Sequence, residues 1–233
     1  MIDKHVMLIT GTRKGIGKYL AEYYVEKGFI VIGCSRGNID FELDNYQHFG
    51  LNVCDEKEVK KMFGQIRKTY GRIDILINNA GVASMNHSLL TPISTACKII
   101  ETNFIGTFLF CREACKIMKR NNYGRIVNFT SVGTKLIIEG EAIYTASKAA
   151  VENLTQVLSK EYAEFGITVN AIGPTPANTD LIRSVPKEKI DNITKRLAIL
   201  RLTENKDISN VVDFLIKDKS DFITGQIIYL GGA

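Results

Sequence analysis

The chain has 233 residues, 45% hydrophobic and 24% charged, an ordinary globular composition that excludes a disordered or low-complexity protein. Its net charge of +5, from 30 Lys+Arg against 25 Asp+Glu, is not gathered into any basic run, so no nucleic-acid surface is indicated. No apolar stretch approaches the roughly 20 residues needed to cross a bilayer, and residues 1–5 lack the layout of a signal peptide, so a cytoplasmic protein without a membrane partner is expected.

Taken in chain order, short apolar runs predict strands at 6–10, 29–34, 47–51, 74–77, 125–130, 168–172 and 226–230. Apolar residues at three- and four-residue spacing predict helices between most of them, among others at 18–27, 58–69, 93–119 and 142–161. This alternation points to an α/β fold: a single doubly wound Rossmann domain over 1–233, with a parallel sheet of about seven strands, helices on both faces and right-handed crossovers. The cofactor half would run to about residue 130 and the catalytic and substrate half from 131. Neither a Pro/Gly/Ser-rich linker nor an internal repeat divides the chain. Only residues 37–50 separate Arg36 from Leu51. A crossover needs at least about 10–12 residues, so an extended arm or one helical turn is expected there, flanking the adenosine end of a bound dinucleotide. Cys34, Cys54, Cys97, Cys111 and Cys115 form no CxxC pair and read as reduced thiols. His5, His48 and His87 are scattered, so no metal site is expected.

The first predicted strand runs into Thr10-Gly11-Thr12-Arg13-Lys14-Gly15-Ile16-Gly17 and then a helix. Glycines at 11, 15 and 17 permit a tight turn, close approach of a ligand and close helix–strand packing. The helix N-terminus presents N–H groups and positive dipole to a pyrophosphate. Gly11, Thr12, Arg13, Lys14, Gly15, Ile16 and Gly17 are therefore candidate dinucleotide contacts. After the second strand, an NAD site places an acidic residue on the ribose hydroxyls. Here Ser35 and Arg36 stand there, and Lys14 adds a second cation. Two cations and no carboxylate suit a 2′-phosphate, so NADPH is expected in preference to NADH.

Tyr144 and Lys148 lie four apart in the predicted helix 142–161 and share a face. A phenol near pKa 10 shuttles protons poorly at neutral pH. Lowering it by ~3 units takes about 4 kcal/mol of preference for phenolate, which a neighbouring ammonium and the positive oxidised nicotinamide can supply.

The glycine spacing TGxxxGxG resembles the short-chain dehydrogenase/reductase family, and the resemblance runs along nearly the whole chain. Asn78-Asn79-Ala80-Gly81 follows the fourth strand, and Asn103 lies in Glu101-Thr102-Asn103-Phe104. Ser131 stands thirteen positions before Tyr144-Thr145-Ala146-Ser147-Lys148, and Ile223-Thr224-Gly225-Gln226 precedes Leu230-Gly231-Gly232. The resemblance implies hydride transfer between the cofactor and a carbonyl or alcohol, with Tyr144 as general acid/base. It implies that Ser131 hydrogen-bonds the substrate oxygen, that Lys148 also binds the nicotinamide ribose, and that Asn103 holds a water linking Lys148 to solvent. Asn52 and Val53 would contact adenine, and Asn79, Ala80 and Gly81 would line the cofactor. In Gly173-Pro174-Thr175-Pro176-Ala177-Asn178-Thr179-Asp180, Ala177 and Thr179 would meet the carboxamide. Thr175 stands where the family commonly has glycine, and its Cβ restricts positive φ. Apolar residues of the helices 93–119 and 142–161, among them Phe104, Phe108, Phe110, Val151, Leu154 and Leu158, would pair across a two-fold axis. A homotetramer, or a dimer, follows.

Substrate choice falls to the segment 181–202, with Arg183, Lys187, Lys189, Lys195, Arg196 and Arg201 against Glu188 and Asp191. An anionic substrate and a solvated amphipathic helix both remain open. In pattern the chain resembles the 3-oxoacyl-(acyl-carrier-protein) reductases, whose arginines for the acidic carrier fall at the positions of Asn122 and Phe165, neither of them basic. The readings are a reductase of a small ketone, sugar or secondary-metabolite intermediate, a 3-oxoacyl-(acyl-carrier-protein) reductase, and a non-catalytic NAD(P)-binding sensor or scaffold.

Overall fold

Every residue of β1 (Val6–Thr10) is buried, as in a strand at the centre of a sheet covered on both faces. In the computed structural model, which describes residues 5–176 and 187–233, β1 pairs with β2 (Ile30–Ser35) on one side and β4 (Ile75–Asn78) on the other. β3 (Tyr46–Gly50) extends the sheet beyond β2. Beyond β4 come β5 (Gly124–Phe129), β6 (Ile167–Gly173) and β7 (Ile227–Tyr229). The order is 3-2-1-4-5-6-7 and every pairing is parallel, so the doubly wound α/β fold is confirmed. The chain reverses direction across the sheet between β1 and β4, and ligands of such sheets bind at the strand carboxyl ends beside that point.

The period-two pattern of β1 sends its side chains into two different cores. Val6 and Leu8 pack with α2 (Glu56–Tyr70), α4 (Gly106–Met118) and α6 (Ala142–Glu161). Met7 and Ile9 pack with α1 (Gly15–Glu26) and α8 (Asn205–Ile216), while the short α5 (Gly133–Leu136) and α7 (Lys187–Lys195) complete the helices in chain order. α2 carries explicit start and stop signals. Asp55 accepts from the amides of Lys57 and Glu58 at 3.0 and 3.1 Å, and Gly71 ends the helix at φ 72°. Among the described residues no helix is long and apolar enough to cross a membrane.

Three local departures from the sequence reading bear on the site. α1 starts at Gly15, three residues earlier than expected, so Gly15-Ile16-Gly17 form its first turn. The expected helix 93–119 is α3 (Ile93–Ile100) and α4, joined by a π-helical turn at Glu101–Ile105 that holds Asn103. Residues 37–45 form no helix, as the short connection requires. This arm is pinned by Ser35 Oγ, which donates to the Gly37 carbonyl at 2.8 Å, and by Lys18, which pairs with Asp40 at 3.3 Å and lies 4.7 Å from the Phe41 ring centre.

Candidate active site

The carboxyl ends of β1, β2 and β4 border a cavity of about 660 Å³. Gly11, Arg13, Lys14, Gly15 and Ile16 line it from the glycine turn, and Ser35 and Arg36 from the end of β2. Asn52 and Val53 line it after β3, and Asn79, Ala80 and Gly81 after β4. Gly11 has φ +78°, and a Cβ there would lie 2.9 Å from Asn79 Nδ2 and 3.0 Å from Ala80 Cα. A Cβ on Gly17 would meet the Gly11 carbonyl at 2.3 Å. The glycines therefore let the turn close on the loop after β4. Thr10 Oγ1 joins the two by accepting from the amides of Asn79 and Ala80 at 3.0 and 2.9 Å. Thr12 and Gly17, also expected as contacts, lie buried beneath the lining; Thr12 Oγ1 accepts from the Tyr46 hydroxyl at 2.8 Å. Arg13 leans over the arm, because a Cβ on Gly37 would lie 2.9 Å from its Nη1. The lining holds three cations, Arg13, Lys14 and Arg36, and no carboxylate. A helix N-terminus beside a cradle that side chains would fill, with a cationic rim, fits a phosphorylated dinucleotide.

Beyond Gly81 and outside the cavity's lining residues, Ser131 lies two residues past β5, while Tyr144 and Lys148 lie one turn apart on α6. The Ser131 hydroxyl is close enough to the Tyr144 phenol to lower its pKa, and Ser131 Oγ accepts from the Gly133 amide at 3.1 Å. Lys148 is buried, its Nζ donating to the Phe129 carbonyl at 2.8 Å and lying 5.9 Å from the Tyr144 ring centre. A Cβ on Gly81 would come within 3.5 Å of that Nζ and 3.4 Å of Asn103 Oδ1, so cofactor and catalytic ends adjoin at this glycine. The Asn103 side chain is committed to protein groups. Its Oδ1 accepts from the Val82 amide at 2.8 Å, and its Nδ2 donates to the Val82 carbonyl at 2.9 Å and to Ser147 Oγ at 3.0 Å. Its backbone carbonyl accepts from Thr107 Oγ1 at 2.7 Å. Asn103 thus clamps the loop after β4 against α6.

Burial drives the electrostatics here. It pushes the Tyr144 phenol up to about 12, with the Glu141 carboxylate adding to the rise and the Ser131 hydrogen bond opposing it. It also lowers Lys148 to about 8. The expected lowering of the phenol by the neighbouring ammonium is therefore absent from the protein alone, where Lys148 is turned toward the Phe129 carbonyl. The positive charge of an oxidised nicotinamide is the remaining ingredient that argument invoked.

Several residues of the site went unread in the sequence. Glu141, just before α6, shares the surroundings of Tyr144: a Cβ on Gly133 would lie 3.0 Å from its Oε2 and 3.3 Å from Ser131 Oγ. Its signal was a carboxylate three residues before the tyrosine. Glu152, one turn beyond Lys148, accepts from Thr130 and Thr134 hydroxyls at 2.6 and 2.7 Å and ties both sides of Ser131 to α6. Cys34, Gly37, Leu51, Val82 and Thr102 also line the cavity. Thr175 does not adopt positive φ. Instead its hydroxyl accepts from the Thr203 amide at 2.6 Å while its amide donates to Thr203 Oγ1 at 3.0 Å, a side-chain lock in place of a glycine turn. Ala177, Thr179 and Arg183 lie outside the described residues. Of the other basic residues in 181–202, Arg201 is paired with Asp207 at 2.6 and 2.9 Å and Arg196 donates to the Leu136 carbonyl, so both have partners within the chain.

A family model described as "Enoyl-(Acyl carrier protein) reductase" matches residues 11–232. The chain is 32% identical over 235 residues to the 3-oxoacyl-[acyl-carrier-protein] reductase of Staphylococcus epidermidis, covering 97% of this chain and 96% of that protein. Among solved structures, the aldohexose dehydrogenase of Thermoplasma acidophilum superposes with a TM-score of 0.90 at 30% identity, covering 98% of this chain and 93% of the other. The structure of ElxO with NADP bound superposes at 0.89, also at 30% identity, over 97% of each chain.

Proposed function

The chain belongs to the short-chain dehydrogenase/reductase family, and on that premise we propose that it is an NADPH-dependent oxidoreductase that reduces a small, freely diffusing carbonyl compound, or runs the reverse oxidation. The observation that carries the reading is the adjacency of buried Lys148, with the neighbouring Ser131 and Tyr144 hydroxyls, to the glycine-lined cavity at Gly81. When bound, the cofactor supplies the hydride. Tyr144 donates the proton to the nascent alkoxide, and its raised pKa keeps it in the acid form through neutral pH. Ser131 Oγ, already accepting the Gly133 amide, directs its own hydrogen toward Tyr144 or the substrate oxygen. Lys148 reaches the ribose side of the cavity beside Gly81. Asn103 holds that loop in register, and its backbone carbonyl keeps a second lone pair for a water leading from Lys148. Arg13, Lys14 and Arg36 bind the phosphates, with Asn52 and Val53 at the adenine and Ala177 and Thr179 at the carboxamide. We read residues 1–233 as one domain that assembles through α4 and α6 into a dimer or tetramer in the cytoplasm, with partly exposed Phe104, Phe108 and Leu154 at the contact, since Phe110, Val151 and Leu158 are buried within this chain; a single-subunit mass in light scattering at micromolar concentration would count against that assembly.

A second reading, reduction of a carrier-bound 3-oxoacyl group, is favoured by the similarity to the staphylococcal reductase. Asn122 and Phe165 weigh against it, since a surface for an acidic carrier would be basic there. One assay series tests both. Ketones, aldoses and a 3-oxoacyl thioester are offered with NADPH or NADH, and loss of reduced-cofactor absorbance is followed. A small carbonyl compound is expected to react, with NADPH preferred by about tenfold or more, since each charge-assisted phosphate contact contributes about 1.5–3 kcal/mol before solvent screening. Arg36→Asp should reverse the preference. Tight NADPH binding with no turnover of any substrate would favour the sensor reading instead.

A further inference from the structure

The missing side chain of Gly133 leaves a space that two oxygens border. A Cβ there would lie 3.0 Å from Glu141 Oε2 and 3.3 Å from Ser131 Oγ, so a carboxylate stands beside the serine hydroxyl. Backbone bonds fix its position. The Glu141 carbonyl accepts from the Thr145 amide at 2.8 Å and from the Thr145 hydroxyl at 2.9 Å, while the Glu141 amide donates to the Ile138 carbonyl at 3.3 Å. The preceding Gly140 carbonyl accepts from the Asn86 amide at 2.9 Å, which ties this turn to the loop after β4. A carboxylate has about four acceptor sites, so a bond within the chain leaves capacity for a donor on a ligand.

The charge around Ser131 is weighted toward the negative. Glu152 holds the residues on either side of it, accepting from the Thr130 and Thr134 hydroxyls at 2.6 and 2.7 Å. Three basic side chains of neighbouring elements are turned to other partners. Lys148 Nζ donates to the Phe129 carbonyl at 2.8 Å, Arg196 donates to the Leu136 carbonyl, and Lys135 Nζ lies 5.0 Å from the Tyr229 ring centre. The Glu141 charge also reaches the reacting group, since it adds to the rise in the Tyr144 pKa. A substrate whose carbonyl oxygen lies between Ser131 and Tyr144 therefore has a carboxylate beside its reacting carbon. A hydroxyl or ammonium placed there gains a charge-assisted hydrogen bond, and an anionic group meets repulsion.

We propose that Glu141 is a specificity-determining residue of the substrate site, selecting carbonyl compounds that carry a hydrogen-bond donor, hydroxyl or ammonium, on the carbon next to the carbonyl and rejecting those with a carboxylate in that place. The inference rests on the oxidoreductase reading and deepens it, because it names an α-hydroxy or α-amino carbonyl compound as the substrate class. The reach is adequate. A hydrogen bond at each end, plus the short span from a carbonyl oxygen to a substituent on the neighbouring carbon, bridges Ser131 Oγ and Glu141 Oε2.

Four methyl ketones that differ in this one group test it: hydroxyacetone, aminoacetone, butanone and pyruvate. With NADPH, kcat/KM for hydroxyacetone and aminoacetone should exceed that for butanone by about tenfold or more, and pyruvate should fall below butanone. Whichever donor is faster, the inference stands, and the order identifies the donor. In Glu141→Gln the hydroxyacetone-to-butanone ratio should fall about tenfold, the difference between a charge-assisted and a neutral hydrogen bond, and the pyruvate-to-butanone ratio should rise. Glu141→Asp keeps the charge and draws the acceptor back by one methylene. It should lose part of the hydroxyacetone preference while still rejecting pyruvate, and it serves if Glu141→Gln does not fold. Ratios unchanged in both variants overturn the proposal and make Glu141 a structural residue. Butanone reduced as well as hydroxyacetone and aminoacetone by the wild type overturns it too and leaves the oxidoreductase reading intact. No turnover of any carbonyl compound overturns both.

Discussion

Tyr144→Phe is expected to lower turnover by about 10²–10⁴-fold, the usual contribution of a positioned general acid, with reduced-cofactor affinity unchanged within twofold. The ring keeps its place beside Ser131, so the substitution removes a hydroxyl while preserving packing. Stability should change little: a hydrogen bond of that hydroxyl is worth about 1 kcal/mol, partly offset because a buried phenol is replaced by a wholly apolar ring. Single-turnover mixing with NADPH and fluorescence titration of the cofactor separate the two effects. Should the variant turn over at the wild-type rate, the proton must come from elsewhere, and Glu141 would be the first group to test. Should it lose cofactor affinity as well, Tyr144 would be a binding residue and the acid would remain unassigned.

The central strands could be read in advance because β1, β4 and β5 are short runs rich in apolar residues and buried throughout. The π turn at Glu101–Ile105 could not. One extra residue in a helix scarcely disturbs an apolar pattern that already tolerates three- or four-residue steps, and the turn's signature is in the backbone bonding. The start of α1 was missed for a related reason: glycines read as a turn, although here Gly15 and Gly17 also form the helix's first residues. Thr175 shows the opposite case. A Cβ where glycine is common suggested an altered turn, and the conformation proves unstrained because Thr203, 28 positions away, supplies the matching hydrogen bonds.

The same division holds within the site. Tyr144 and Lys148 announce themselves through i,i+4 spacing on one helix, and the glycine turn through its place between strand and helix. Glu152 has no local motif, because its partners Thr130 and Thr134 come from beyond the end of β5. Two basic residues of the segment 181–202 illustrate the limit of composition. Counting charge in 181–202 leaves an anionic substrate open, whereas Arg201 and Arg196 turn out to be bonded within the chain.

Lys148 should be worth more to activity than Tyr144 and, at neutral pH, worth less than nothing to stability. Burial lowers its pKa from 10.5 to about 8, which corresponds to an order-of-magnitude penalty of about 3 kcal/mol on the folded ammonium. The sign follows from the proton balance. Between about 8 and 10.5 the unfolded chain holds the proton and the folded chain does not, so stability rises with pH across that window; below it the full penalty applies. Lys148→Met keeps the length of the side chain and removes the charge. Against that gain stands the loss of the bond to the buried Phe129 carbonyl, about 1–3 kcal/mol. The net expectation at pH 7 is a gain of about 1 kcal/mol, or roughly 2–4 °C in Tm for a chain of this size, shrinking to a loss by pH 10. Turnover should fall further than in Tyr144→Phe, and the cofactor dissociation constant should rise, since the ribose loses a donor along with the phenol's nearby charge. Thermal melts at pH 7 and 10, beside a cofactor titration, check each part. If Lys148→Met melts lower than wild type by the same amount at both pH values, the lysine is a structural hydrogen-bond donor and its placement in the proton path is wrong.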